Sequence, residues 1–282
     1  MEGNECYKFS TIGNYIRLTG SKGVRLMVDV GANVGSISSM MKSYFPGAKL
    51  YAYEAVEEYF QTALGNLQPN QDIKLFNKAV TSAHLFYDDL GEKPRPKPAS
   101  LLLFKGVPEA GPGWMGGSVV VPDDHEMALA DRPTPGYQRT EQHLPAITLD
   151  RIWKIMHESE AAQEIDLLKL DCEGAECSAL GCAKTATLKK FRFIVGEYHN
   201  IERFYNVMQK KLFLTHKVNL IGQRDLGCFF AERLDGDKDG ILLYQKEGML
   251  QPRPWLSKHA IDWHHFNPAF VSAETRKMHA LA

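Results

Sequence analysis

The sequence predicts a Rossmann-like α/β fold, a mostly parallel sheet that finishes in an antiparallel hairpin. Three observations predict it. Short apolar runs alternate with amphipathic helical stretches from Leu26 onward. A glycine-rich loop, Gly31-Ala32-Asn33-Val34-Gly35, joins the first apolar run to the first helical one. Late in the chain, "CFFAERL" and "GILLYQK" flank the turn-forming "DGDKDG", the pattern of a hairpin.

Leu26–Val30 is a short, valine-containing run suited to a buried strand. Val34, Ile37, Met40, Met41 and Tyr44 then recur at helical spacing, and Pro46-Gly47 ends that helix. "AKLYAYE" (48–54), "EEYFQTALGNL" (57–67) and "DIKLFNKAV" (72–80) continue as strand, helix and strand. Strands separated by helices pair in parallel, with the helices covering the sheet. Residues 81–145 break the rhythm with Pro- and Gly-rich stretches, in which only "SLLLF" and "SVVV" read as strands. This region is expected to be an insertion capping the site, since loops of such length are most often functional. The alternation resumes with a helix over 148–158 capped by Thr148, a strand at 165–171, a helix over "AECSALGCAKTATLKK", a strand at 191–197 and a helix over "IERFYNVMQKKL". The expected layout is an N-terminal segment (1–24), a domain (25–247) containing the 81–145 cap, and a C-terminal extension (248–282).

Lys and Arg number 33 against 34 Asp and Glu, so no basic excess points to nucleic acid. No apolar run approaches the ~20 residues of a membrane helix, and "MEGNECYKFS" lacks the pattern of a secretory leader. Five cysteines, an odd number, are expected as reduced thiols in a cytoplasmic protein. Cys172, Cys177 and Cys182 recur every five residues, too widely for the usual zinc pairs.

The glycine loop carries the first chemistry. Gly31 permits a sharp turn and Gly35 a close approach of the helix start to strand and ligand. Exposed N–H groups there, including Ser36, favour polar or anionic groups. Asp29 is expected to face the crevice at the carboxyl ends of the strands, where ligands of open α/β sheets bind. Position 33 is Asn, so the loop lacks the G-x-G-x-x-G of dinucleotide folds, and no Gly-Lys-Ser/Thr makes it a P-loop. A nucleoside without phosphates fits better than a dinucleotide; a loop serving packing alone is the other reading.

Glu54 ends the second strand, 19 residues after Gly35, where a carboxylate can accept both ribose hydroxyls. Asn77 is placed to reach an adenine edge, or serves as a turn residue. Asp171, Glu173 and Glu176 follow the apolar "IDLLKL", either facing the cleft or capping the next helix. Glu197 and His199 end the next strand. His199, or one of the carboxylates Asp171 and Glu197, is a candidate base for a hydroxyl nucleophile, and Asp171, Glu197 and His199 together could instead hold a divalent cation; support of neighbouring groups is the plainer role for His199.

In order and spacing, "VDVGANVGS", "YAYEA", "FNKAV", "GGSVVV", "ITLDRI", "DLLKLDCEGAEC" and "VGEYHN" resemble the motif series of the FkbM-type methyltransferases over roughly residues 25–245. The resemblance implies a class I methyltransferase fold with a seven-stranded sheet. It also implies S-adenosylmethionine as cofactor and methyl transfer to a hydroxyl of a sugar or natural product. By the same likeness Asp29, Gly31, Ala32, Asn33, Gly35 and Ser36 form the cofactor loop. Glu54 is then the ribose acid, Asn77 the adenine-side residue, and Asp171, Glu173 and Glu176 the D-x-E-G-x-E segment. Ala55 stands where the family usually has Pro, and the long insertion leaves the acceptor unread. Two other readings remain: a nicotinamide-dependent oxidoreductase, disfavoured by the missing glycine, and a non-catalytic binding protein on the same scaffold.

Two further patterns are weaker. "DGDKDG" (235–240) starts like a calcium loop, but Lys246 occupies the position of the bidentate Glu. His259, His264 and His265 cluster in the extension, where a solvated tail or substrate lip is expected rather than a metal site.

Overall fold

The computed structural model describes residues 23–68, 70–81, 101–106, 117–120, 137–142, 146–172, 174–199, 201–222 and 226–234. Seven strands form the main sheet: β1 (Leu26–Val30), β2 (Lys49–Glu54), β3 (Ile73–Asn77), β9 (Ile165–Leu170), β10 (Phe191–His199), β11 (His216–Gly222) and β12 (Leu226–Arg233). Their order is β11-β12-β10-β9-β1-β2-β3. All neighbours pair in parallel except β12, antiparallel to both β10 and β11. From β1 the chain steps outward through β2 to β3, then returns to the other side of β1 with β9. That reversal opens a crevice between the carboxyl ends of β1 and β9, the switch point at which such sheets bind ligands.

The strands are buried on both faces, as their continuous apolar runs require. On one face Met27, Leu50, Leu167 and Val195 pack under Met41 and Phe45, carried by and just after α1 (Ser36–Tyr44). On the other, Val28, Tyr51, Leu168 and Ile194 pack under Ile152, Leu180 and Phe204. Those come from α3 (Leu149–Glu160), α4 (Glu176–Cys182) and α6 (Ile201–Lys210). Helix α2 (Glu57–Leu67) joins β2 to β3, and α5 (Thr185–Leu188) leads into β10. The Thr148 hydroxyl accepts the Arg151 N–H at 3.1 Å, the N-cap expected for α3.

Several elements differ from expectation for physical reasons. Tyr44, on the expected apolar stripe of α1, is 48% exposed, whereas Lys42 is buried. The Lys42 ammonium donates to the carbonyls of Pro46 and Ala48 and pairs with Asp72, so its charge is matched where helix and strand meet. The run 72–80 breaks at Lys78, whose N–H turns back to the Glu54 and Phe76 carbonyls. Beyond it, β4 (Ala79–Val80) leaves the sheet to pair in parallel with β8 (Ala146–Ile147). The long helix expected after Ala175 is two short ones, α4 and α5.

The antiparallel end of the sheet is the pairing of β12 with the preceding β11, which polar Asn219 and Lys217 had disguised. "GILLYQK", "DGDKDG" and the histidine cluster lie outside the described residues. Within the insertion, β5 (Leu101–Gly106) pairs antiparallel with β6 (Gly117–Val120) and also with β7 (Tyr137–Gln142), a polar strand not expected from the sequence. Cys172, Cys177 and Cys182 are not in disulfides, but Cys228 is disulfide-bonded, so the expectation of wholly reduced thiols fails there. No helix among the described residues is long and apolar enough to cross a membrane.

His216 opens β11 wholly buried, with Nε2 donating to the Phe191 carbonyl (2.9 Å) and Nδ1 2.7 Å from the Thr215 hydroxyl. Burial, aided by Arg233, pushes its ring down to about 4. A base depressed in the folded state binds its proton more readily when unfolded. Its contribution is therefore complete above pH ~6.5 and is lost as pH falls toward 4, by up to about 3 kcal/mol. Urea unfolding of the wild-type protein should show this loss between pH 7 and 5. A His216→Gln variant, less stable at pH 7, should lose measurably less over the same interval.

Candidate active site

A cavity of about 240 Å³ lies at the switch point, near the lower end of the ~300–1,000 Å³ usual for small-molecule sites. Its walls come from the loop after β1 (Gly31 to Val34), the start of α1 (Ser36, Ile37) and the end of β2 with the turn beyond (Tyr53 to Val56). Tyr59 of α2, the β3–β4 corner (Lys78 to Val80), and Lys169, Asp171, Cys172 and Ala175 complete it.

The glycine loop is held close to the sheet. The N–H groups of Gly31 and Ala32 both donate to the Tyr53 carbonyl, at 2.9 and 3.0 Å. Gly31 has φ +77°, and a Cβ on it would lie 1.7 Å from the Asp171 carbonyl oxygen, so no other residue fits. Gly35, at φ +89°, caps α1, and its missing Cβ makes room for the Leu67 side chain of α2. The close approach expected of Gly35 is therefore to a helix, and Gly35 does not line the cavity. Asn33, also at positive φ, turns its side-chain oxygen to the Val34 N–H.

Glu54 meets the cavity as expected. Its Oε2 accepts the Asn33 N–H and its Oε1 the Val56 N–H, both at 2.7 Å. A carboxylate offers about four acceptor positions, so two remain for a ligand. Burial raises its carboxyl above the usual range; the Val56 and Asn33 amides and the Lys169 charge only partly offset it.

Two expected cofactor residues are employed elsewhere. Asp29 is 0% exposed and absent from the cavity wall. Its Oδ2 accepts the Ser38 hydroxyl at 2.6 Å and its Oδ1 lies 3.0 Å from the Lys169 ammonium. The strand pleat turns Asp29 under α1 rather than into the crevice. Asn77 also stays off the wall: its amide donates to the Glu54 and Ala55 carbonyls, both at 3.1 Å, bracing the turn that carries Glu54.

Lys169 is the residue that sequence reasoning missed. Its side chain is 1% exposed, and it donates to the Gly31 and Val30 carbonyls at 2.8 and 3.3 Å. Asp171 Oδ2 is 3.8 Å away. Burial alone would discharge the amine, but Asp29 and then Asp171 more than compensate and hold it protonated. The signal was present in "IDLLKLD": a lysine inside a doubly buried strand demands a carboxylate on a neighbouring strand.

At the far side of the crevice, Glu176 is 0% exposed and accepts the Cys172 and Gly174 N–H groups at 2.8 and 2.9 Å. His199 Nδ1 lies 3.4 Å from its Oε1, an ion-pair contact longer than a good hydrogen bond. Burial would raise the Glu176 carboxyl, but the His199 ring and the Cys172 amide outweigh it and set it below the usual range. Glu197 is half-buried on β10, opposite Cys228 in the register. Asp171, Glu197 and His199 do not converge into a cation site, and no cluster that could hold a metal occurs among the described residues. Glu173 lies outside them.

The residues present fit a nucleoside with an amino-acid tail. Glu54 offers free acceptor positions, the start of α1 offers uncapped N–H groups, and Val56, Ala79 and Val80 offer an apolar wall. Strand order and cavity together define the Rossmann-like fold of the class I methyltransferases.

The family model described as "Methyltransferase FkbM domain" matches residues 29–219. The chain belongs to the FkbM methyltransferase family and is an S-adenosylmethionine-dependent methyltransferase. No curated protein matches it. Among solved structures, precorrin-6y C5,15-methyltransferase from Geobacter metallireducens shares 10% identity, covering 83% of this chain and 94% of that one, with a TM-score of 0.36. Magnesium protoporphyrin IX methyltransferase from Synechocystis, solved with bound S-adenosylmethionine, shares 11% over 80% and 78%, with a TM-score of 0.33. These likenesses are too distant to bear on substrate or mechanism.

Lys169→Met should cost about 3–5 kcal/mol, because it leaves Asp29 and Asp171 without their cation. Denaturant unfolding checks this. Adding Asp29→Asn to that variant should restore part of the loss.

Proposed function

We propose that this protein transfers a methyl group from S-adenosylmethionine to a hydroxyl of a small molecule, with His199 as the base. The observation that carries the reading is the His199–Glu176 pair, set at the same sheet edge as the cavity and next to the Asp171 loop. A hydroxyl holds its proton far above neutral pH and needs a base to become a good nucleophile, and an imidazole titrates in the right range. The near-neutral charge balance supports a small acceptor over a nucleic acid.

When bound, the cofactor supplies an electrophilic methyl group on a sulfonium sulfur. Glu54 would accept the ribose hydroxyls with its two open positions. The amides at the start of α1 would take the carboxylate of the amino-acid tail, while Val56, Ala79 and Val80 cover the adenine face. Lys169, bound to the Gly31 carbonyl, anchors the loop that the cofactor would meet. His199 removes the hydroxyl proton as the oxygen attacks.

Calorimetry with S-adenosylhomocysteine should give binding that Glu54→Ala weakens about 10–100-fold, the loss of charge-assisted bonds of ~1.5–3 kcal/mol. His199→Ala should leave that affinity within about threefold while lowering kcat by about 10²–10⁴-fold on a panel of hydroxylated acceptors. Absence of binding heat, or transfer to amines alone, would overturn the reading.

A further inference from the structure

We infer that Lys78 reads the base of the methyl donor, its ammonium donating to a ring nitrogen of the adenine. The inference rests on the placement of the nucleoside proposed above, with the ribose on Glu54.

That placement decides where the base goes. The strands that carry the crevice run in the order β9-β1-β2-β3. With the amino-acid tail at the start of α1 and the ribose at the tip of β2, the base falls at the tip of β3. Asn77 ends β3 opposite Glu54 in the register, but its amide is occupied by the Glu54 and Ala55 carbonyls and it stays off the wall. The next residue, Lys78, does line the cavity. Its backbone is fixed there, because its N–H donates to the Glu54 and Phe76 carbonyls, both at 3.0 Å. Of the three wall residues at this corner, Ala79 and Val80 are apolar, and Lys78 alone carries a polar side chain.

The ammonium has no other employment. Lys78 is half-buried, yet no hydrogen bond, ion pair or ring contact engages its side chain among the described residues. Other lysines drawn in from solvent are matched. Lys42 has two carbonyls and Asp72, Lys169 has Asp29, Lys211 donates to the Ala183 carbonyl, and Lys190 lies over the Trp153 ring. Nor is Lys78 reserved for Glu54, since the charges acting on that carboxyl are those of Lys169 and Asp29. A half-buried ammonium has given up part of its hydration, and a ligand acceptor restores it.

The chemistry selects the acceptor. An ammonium donates and never accepts, so the exocyclic amino group of adenine is no partner for it. S-adenosylmethionine carries no phosphate, its carboxylate belongs at the start of α1, and its ribose hydroxyls donate to Glu54. The ring nitrogens of the base, which are acceptors, are what remains at this end of the crevice.

The test is calorimetry of the full-length protein with S-adenosylhomocysteine and its 1-deaza, 3-deaza and 7-deaza analogues, each with one ring nitrogen replaced by C–H. One of these analogues should bind the wild-type protein about tenfold more weakly than the parent, the loss of a charge-assisted hydrogen bond. Lys78→Met, which keeps the aliphatic stem, should weaken the parent by about the same factor, and in that background the same analogue should match the parent within about twofold. Wild-type protein that binds all the analogues as it binds the parent, a result that needs no variant, would overturn the inference. So would a Lys78→Met variant that weakens the parent and every analogue alike. Unchanged affinity of Lys78→Met for S-adenosylhomocysteine would also overturn it, and is the result expected if the ammonium serves an anionic group on the acceptor. Weakening by Glu54→Ala with no coupling between Lys78 and the base would leave the ribose placement standing and remove this inference alone. Coupling that persists while Glu54→Ala changes nothing would remove the ribose placement and uphold the role of Lys78.

Discussion

The ammonium of Lys169 sits where everything else in the site meets. It lies on the central strand pair of the switch point, register partner to Asp29 on β1. It donates to the Gly31 and Val30 carbonyls and forms an ion pair with the Asp29 carboxylate. A cation in this position costs several kcal/mol in lost hydration, and its carboxylates repay that only when the geometry is good. The net contribution to stability is therefore small, but the constraint on position is large. Moving the glycine loop would strip a carbonyl from a buried charge, and moving β1 would strip a carboxylate.

From that constraint the shape of the cavity follows. The loop is drawn toward β9 until Gly31 meets the Asp171 backbone so closely that a Cβ has no room. It is held on its other side by the Tyr53 carbonyl. Asn33 is then delivered with its N–H to Glu54, so the same loop that closes one wall orients the acid on the next. Ser38 completes the arrangement from α1 by filling the second oxygen of Asp29. Strand, loop and helix are thus locked by one buried charge.

The fold was legible in the sequence wherever order was local. β1, β2, β9 and α1 to α3 follow from periodicity and caps, and the position of Glu54 at a strand end followed from the general geometry of parallel sheets. What escaped depended on partners distant in the chain. Asp29 was expected in the crevice because it ends a strand, but which side of the pleat it takes is decided by Lys169, 140 residues later. Asn77 was assigned to a ligand for the same reason, though the carbonyls of the Glu54 turn already occupied its amide. β11 hid because an outer strand carries polar residues such as Asn219 and Lys217, and its pairing is visible only once β12 turns back on it. The pairing of Glu176 with His199 spans α4 and β10, so both residues could be noted from the sequence but not joined.

Glu54 and Glu176 show how one sheet edge gives two carboxylates opposite characters. Both are buried and both accept two backbone amides, so hydrogen bonding alone does not separate them. The difference is the cation. Glu54 feels Lys169 only at a distance, with Asp29 opposing it, and burial wins. Glu176 has His199 in contact, and the balance reverses. A carboxylate with open lone pairs and no partner cation in contact suits a neutral polyol such as a ribose, which donates hydroxyls and brings no charge. One already in contact with an imidazole has its charge matched within the protein. The two acids therefore give the crevice one carboxylate with open acceptor positions and one already matched.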